Sequence, residues 1–278
     1  MSRYDNVVLA DSPTRYHKCD ETSGTAWVDS STNASNGTIS PANLDAWVSG
    51  TDYFAQSSVV QYLGVGYYCI NDNSDGTFTP SNWNTVQVLY QQPSLITSAL
   101  NTRSLRQQGD GAFCIPSSIN YSTTMTIEFW VTWADTWENE GAIPSSPTNG
   151  QHGLLRRDIT QGSLQYFGGI GPLDNNYYND INPTLINVKN RPYYVVLTWG
   201  SNSFNLWINA IHQTTIGSDH AFTSTNPPQF GSQSLGLQWC WDGLIQNVAI
   251  YNGVKLPTAR ILEHYKVGSI CPFGSFSQ

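Results

Sequence analysis

Trp207 stands between two amides in the run Asn205-Leu206-Trp207-Ile208-Asn209. An indole presents an apolar face to the C–H groups of a sugar ring, and flanking amides offer hydrogen bonds to its hydroxyls. Asn205, Trp207 and Asn209 are therefore a candidate platform for a glycan or a protein partner. The competing reading is that another layer, such as residues 41–101, packs over the indole. Trp137, Tyr177 and Tyr178 lie in polar stretches read as long loops and are alternative platforms, since aromatics are enriched at binding hot spots.

Other chemistry is sparse. The five histidines, His17, His152, His212, His220 and His264, show no metal-ligand spacing, and His264 reads as a surface residue of a terminal helix. Cys19, Cys69, Cys114, Cys240 and Cys271 contain no CxxC pair, which argues against a zinc knuckle. The first residues carry no apolar core and no cleavage site of a secretion signal, so synthesis in a reducing cytosol with free thiols is expected. The N-x-S/T sequons at Asn33, Asn36 and Asn120 then read as chance. No stretch approaches the roughly 18 apolar residues of a membrane span. A net charge of -8 with no basic cluster beyond Arg156-Arg157 argues against a nucleic-acid partner.

The platform needs elements to hold it. Arg191–Ala210 contains two alternating runs around the polar turn Gly200-Ser201-Asn202-Ser203. Period-two alternation with β-branched and aromatic residues predicts an antiparallel hairpin, with Phe204, Leu206 and Ile208 facing a core. Val59–Leu63, Thr85–Tyr90, Ala112–Ile115, Ser163–Phe167 and Leu244–Tyr251 read as further strands. In residues 126–133, Thr126, Glu128, Trp130 and Thr132 alternate with Ile127, Phe129, Val131 and Trp133, and Ile127 and Phe129 mark the core side. Pro257 opens a short helix with Ile261, Leu262 and Tyr265 on one face and Gly268 as its C-cap. Only 12% of residues are charged against 39% hydrophobic, which excludes a disordered chain and suits an all-β protein.

Three segments resemble laminin-G-like, concanavalin A-like jelly rolls. They are the opening Val8-Leu9-Ala10-Asp11-Ser12-Pro13, the strand Thr126-Ile127-Glu128-Phe129-Trp130-Val131, and the closing run Gly243 to Gly268. The resemblance covers residues 5–39 and 103–268 and implies an all-β antiparallel jelly-roll β-sandwich with a short C-terminal helix. The expected organisation is a single domain over 1–278 with a β-rich insertion at 41–101. The family's turn Asp-Gly is replaced by Asn209-Ala210, so that turn is expected to close differently, and its closing Asp-Glu is replaced by Gln246-Asn247.

Some relatives bind calcium at the rim, and the resemblance points to Asp110 and Asp242, each opening an Asp-Gly turn, as candidate ligands. Enzymes of this fold carry paired carboxylates on one strand. The nearest pair here, Glu138 and Glu140, falls in a Pro- and Gly-rich loop. The expectation is therefore a protein that is not an enzyme and requires no cofactor. The opening resembles bacteriophage structural proteins, which implies a head-decoration or minor tail protein located on the virion. Its partners would be other virion proteins, glycans or further copies of itself. A carbohydrate-binding lectin module, calcium-dependent or not and extracellular, is the alternative; a glycan hydrolase or lyase ranks below both.

Overall fold

The computed structural model describes residues 2–39, 46–54, 59–63, 65–92, 95, 104–108, 114–120, 122–132, 156–158, 163–168, 177–180, 191–200, 203–217, 227–231 and 243–269. In chain order the elements are α1 (Arg3–Ala10), β1 (Arg15–His17), β2 (Ala26–Trp27), β3 (Gly37–Ile39), β4 (Val59–Tyr62), β5 (Val65–Cys69), β6 (Trp83–Gln92), β7 (Ser104–Gln108), β8 (Cys114–Ile115), β9 (Met125–Val131), β10 (Arg156–Asp158), β11 (Ser163–Gly168), β12 (Tyr177–Asp180), β13 (Tyr193–Gly200), β14 (Ser203–Ile208), β15 (Ile211–Gly217), β16 (Gly243–Asn252) and α2 (Thr258–Ser269). A single 3-10 turn, Pro80–Asn82, precedes β6. Among the described residues ten strands form one sheet in the order β15-β14-β13-β9-β16-β7-β6-β5-β4, with β1 beside β16. Two smaller sheets, β2-β3-β8 and β10-β11-β12, have three strands each. The paired strands are antiparallel throughout.

The long strand β16 organises the centre of the large sheet. It keeps β9 along one edge, and the other edge is shared in turn by β7 at Gly243–Ile245 and by β1 at Val248–Ile250. Between these two partners its register with β9 shifts, and Asn247 takes a left-handed backbone with φ 51°. A bulge absorbs the extra residue there, and Asn tolerates that conformation better than most side chains.

Strand alternation places Ile127, Phe129 and Val131 on one face with their cross-strand partners Leu197, Val195 and Tyr193. Leu206 and Ile208 continue that face. It packs toward the small sheet: Phe230, bridged to Cys114 of β8, meets Phe129 edge-on at 5.8 Å and Trp27 of β2 at 5.5 Å. The opposite face carries Glu128, Trp130, Tyr194, Val196, Ala249 and Tyr251, and here α1 and α2 close over a second core. Every residue of β9 and β13 is consequently buried. At about 25 cal/mol per Å² of apolar area removed from water, both faces contribute to the fold, instead of one core face and one solvated face.

Several expectations are corrected by these layers. The short apolar run Val7–Ala10 belongs to α1, started by a capping box in which Ser2 Oγ accepts from Asp5 N–H and Asp5 Oδ2 accepts from Ser2 N–H. Tyr177 and Tyr178 do not sit in a loop; they form β12 against β11, opposite Gly168 and Phe167. Gly268 does not cap α2 but lies in its last turn, where a Cβ would come within 2.5 Å of the Trp130 ring. Leu262 is exposed, not part of the packed face of α2. No helix among the described residues is long and apolar enough to cross a membrane.

Candidate functional site

The Trp207 platform is built by the β14–β15 hairpin. Its two-residue turn, Asn209-Ala210, is left-handed at both positions, φ 50° and 60°. That is the pattern of the tight turn an Asp-Gly pair would favour, so the replacement keeps the geometry at a cost of about 1–2 kcal/mol at Ala210. Asn209 helps to hold it: its Oδ1 accepts from the Tyr194 N–H at 3.0 Å, and its own N–H donates to the Tyr194 carbonyl at 2.8 Å. This amide is a latch on β13. Asn205 is also engaged, donating from Nδ2 to Thr198 Oγ1 at 3.4 Å and facing His212 Nε2 at 3.3 Å through Oδ1.

Trp207 is half-buried and lies on the helix-covered side of the sheet, packed against the second core. A register shift between Leu206 and Trp207 sets it opposite His212, an exposed residue of the edge strand β15. The two rings stand 4.6 Å apart with a 57° tilt. The hairpin thus presents an aromatic corner at the sheet edge, made of part of an indole, an imidazole and the Asn205 amide. His212 is the member that alternation along β14 did not reveal, because the bulge, not a simple period, delivers it.

Of the other sequence-derived candidates, Trp137, Asp110 and Asp242 lie outside the described residues. Tyr177 and Tyr178 share β12, on a separate sheet from Trp207. The described residues contain no group of three or more His, Cys, Asp or Glu side chains arranged to hold a metal ion.

The residues that pattern reading missed sit under the helices. Glu128 is 0% exposed, and its carboxylate accepts from the hydroxyls of Tyr194 and, at 3.0 Å, Tyr251. His264 Nδ1 faces both its oxygens at 2.9 and 3.1 Å. On its other side, His264 Nε2 meets Asp11 Oδ2 at 3.0 Å as an ion pair rather than a hydrogen bond. Arg260 grips Asp11 through Nε at 2.8 and 2.9 Å and donates to the Val7 carbonyl at 3.2 Å. Burial alone would push the His264 imidazole down, but the bonded Glu128 carboxylate and then Asp11 hold it above its ordinary value. His264 is therefore not a surface residue but the bolt between helix layer and sheet. Its signal in the sequence was its spacing from Ile261, Val267 and Gly268, which places it on the buried stripe of α2. Glu128 and His264 are sealed from solvent, so their part of the network joins the helix layer to the sheet.

Residues 107–259 match the family described as the concanavalin A-like lectin/glucanases superfamily. No curated protein matches the sequence. Solved structures of similar fold include Trypanosoma rangeli sialidase, at 12% identity and TM-score 0.51, covering 94% of this chain and 36% of that one. The botulinum neurotoxin type G receptor binding domain is similar at 12% identity and TM-score 0.53, over 92% of this chain and 51% of that one. The botulinum neurotoxin serotype D ligand binding domain, solved in complex with N-acetylneuraminic acid, aligns at 13% identity and TM-score 0.54, over 93% and 51% of the two chains. This chain spans about a third to a half of the length of these structures. The expectation of a protein that is not an enzyme is corrected by the sialidases: one fold serves glycan-cleaving proteins and receptor-binding domains, and the exclusion does not stand.

Proposed function

We propose, from the premise that this chain belongs to the concanavalin A-like lectin/glucanases superfamily, that it is a glycan-binding interaction module carried on a bacteriophage particle. The observation that carries the reading is the aromatic corner of Trp207 and His212, 4.6 Å apart at the edge of the large sheet. A partly exposed indole beside hydrogen-bonding side chains suits a sugar ring, whose axial C–H groups stack and whose hydroxyls pair. A domain of the same fold solved with N-acetylneuraminic acid supports the class of ligand. The particle assignment rests on the resemblance of the Val8–Pro13 opening to phage structural proteins.

The test is a glycan array with purified protein, run with calcium and again with chelator, beside a Trp207→Ala variant. Saturable binding to a defined glycan that disappears in the variant is the expected result. Loss in chelator alone assigns a metal to the site. Incubating the best glycan with protein and assaying released sugar separates binding from turnover. Binding unchanged in Trp207→Ala, or a blank array in both conditions, overturns the glycan reading.

A further inference from the structure

The far end of the large sheet has a different character from the Trp207 corner. There β4, β5 and β6 enclose a small aromatic core of Tyr53, Val60, Cys69 and Trp83, flanked by half-buried Trp47, Tyr67 and Phe78. Tyr62 lies flat on Phe78 at 4.1 Å and 10°, and Phe78 on Trp83 at 5.5 Å and 21°. The loop 46–54 runs beside β4, with Trp47 N–H donating to the Gln61 carbonyl at 2.9 Å and the Trp47 ring edge-on to Tyr62 at 5.6 Å. Around this core four large apolar side chains stand exposed among polar ones: Val48 is 56% exposed, Phe54 57%, Leu63 86% and Val65 41%. Among the described residues the other exposed large apolar side chains, Val28, Ile211, Val254 and Leu262, are scattered elsewhere along the chain. Leu63 also holds a left-handed backbone at φ 50°, a conformation that a leucine seldom adopts. Solvent gives no reason for such a residue at a hairpin tip, and large apolar side chains gathered and exposed in one region mark interaction sites.

Charge narrows the partner. No lysine or arginine occurs between Lys18 and Arg103, whereas Asp52, Asp72 and Asp75 fall inside this region. The backbone bridge between Tyr53 and Asn73, and the Gly50 N–H to Asp75 carbonyl bond at 3.1 Å, draw those three acids to the rim of the patch. A two-fold contact with a second copy would set this acidic rim against itself. An acidic rim likewise repels anionic membrane surfaces and nucleic acid.

We propose that the β4–β6 end of the sheet is a docking surface for a protein partner whose face combines apolar side chains with lysine or arginine. The apolar centre supplies burial, and the acidic rim selects and steers the cationic partner. The surface is independent of the Trp207 corner and does not require that the protein bind glycans.

The probe is a pair of synthetic 20-residue peptides, one of Lys, Leu and Trp and one with Glu in place of Lys, titrated into the full chain. The cationic peptide is expected to bind at least about tenfold tighter than the anionic one and to weaken with added salt. Hydrogen exchange is expected to show protection within residues 46–76. Leu63→Ser and Phe54→Ser are expected to cost about tenfold in affinity without loss of thermal stability, since both side chains already face solvent. Asp52→Asn with Asp72→Asn is expected to remove the salt dependence, and Trp207→Ala to change nothing. Equal binding of both peptides, binding of neither, or protection outside this region overturns the proposal. So does a dimer that Leu63→Ser dissociates, because the occupant is then a second copy.

Discussion

His17 and His264 are both sealed at 0% exposure, one on each face of the large sheet, and they are tuned in opposite directions. On the small-sheet side His17 lies flat on Trp27 at 3.9 Å, with Nδ1 against the Val28 carbonyl at 3.0 Å. Burial dominates and pushes it down to about 4, with Asp29 only partly offsetting. On the helix side two carboxylates face His264, and they outweigh the same burial. Burial therefore does not decide the charge of a core histidine; its partners do. Around His17 the small-sheet face disfavours the charged imidazole, although it also holds the Arg15–Asp29 ion pair at 3.8 Å, whereas on the helix face the facing carboxylates keep His264 above its ordinary value.

The sharpest way to break the contrast is Glu128→Ala. It strands the Tyr194 and Tyr251 hydroxyls and leaves His264 facing Asp11 alone, so a loss of about 4 kcal/mol is expected in urea unfolding, as for one partner removed from a buried pair. A loss under about 1 kcal/mol would show that the helix face holds through its apolar cluster instead. Phe129→Ala, one residue along, removes packing between Val195 and Phe230 on the other face. It is expected to cost about 3 kcal/mol, equally at pH 5.5 and pH 8.5, because Val195 and Phe230 carry no titratable group.

His264→Gln sharpens the comparison through pH. Because its folded value is raised, the stabilisation from His264 is complete below its ordinary value and fades as pH rises through the folded one. The variant is therefore expected to lose more stability at pH 5.5 than at pH 9, read from urea unfolding at both. A pH-independent loss would place the role of His264 in shape, not charge. The smallest effect is a gain. Burial pushes the Glu21 carboxyl up to about 7, so the fold favours its neutral form, and that contribution is lost as pH rises through this value. Glu21→Gln keeps an acceptor for the Val28 N–H, which Glu21 Oε1 holds at 2.8 Å. It is expected to gain roughly 1–2 kcal/mol at pH 8.5 and nothing at pH 4, read from thermal unfolding at both.

The strands were readable because period two is a local property. β4, β6, β9, β13, β14 and β16 each lie within a residue or two of the runs that alternation marked. The same rule misjudged the polar side of β9, since it equates a polar alternate with solvent. Thr126, Glu128 and Trp130 face a second core because α1 and α2 cover them, and the helix cap at Ser2-Arg3-Tyr4-Asp5 was the one local sign of the first of these. At the candidate site the alternation of Asn205, Trp207 and Asn209 against Leu206 and Ile208 was legible. The latch from Asn209 to Tyr194 and the pairing of Trp207 with His212 were not, since each joins one strand to another.

Composition and periodicity by themselves determined an all-β protein, the apolar side of its strands and the closing helix, because these follow from side-chain alternation and solvent transfer within a few residues; the jelly-roll sandwich came from the resemblance of three segments. Only the tertiary structure decided which polar residues are buried and in which charge state. Those depend on partners far apart in the chain: Asp11, Glu128 and His264 meet only once both helices lie on the sheet. Desolvation and Coulomb interaction act through space, and no window of sequence contains that distance.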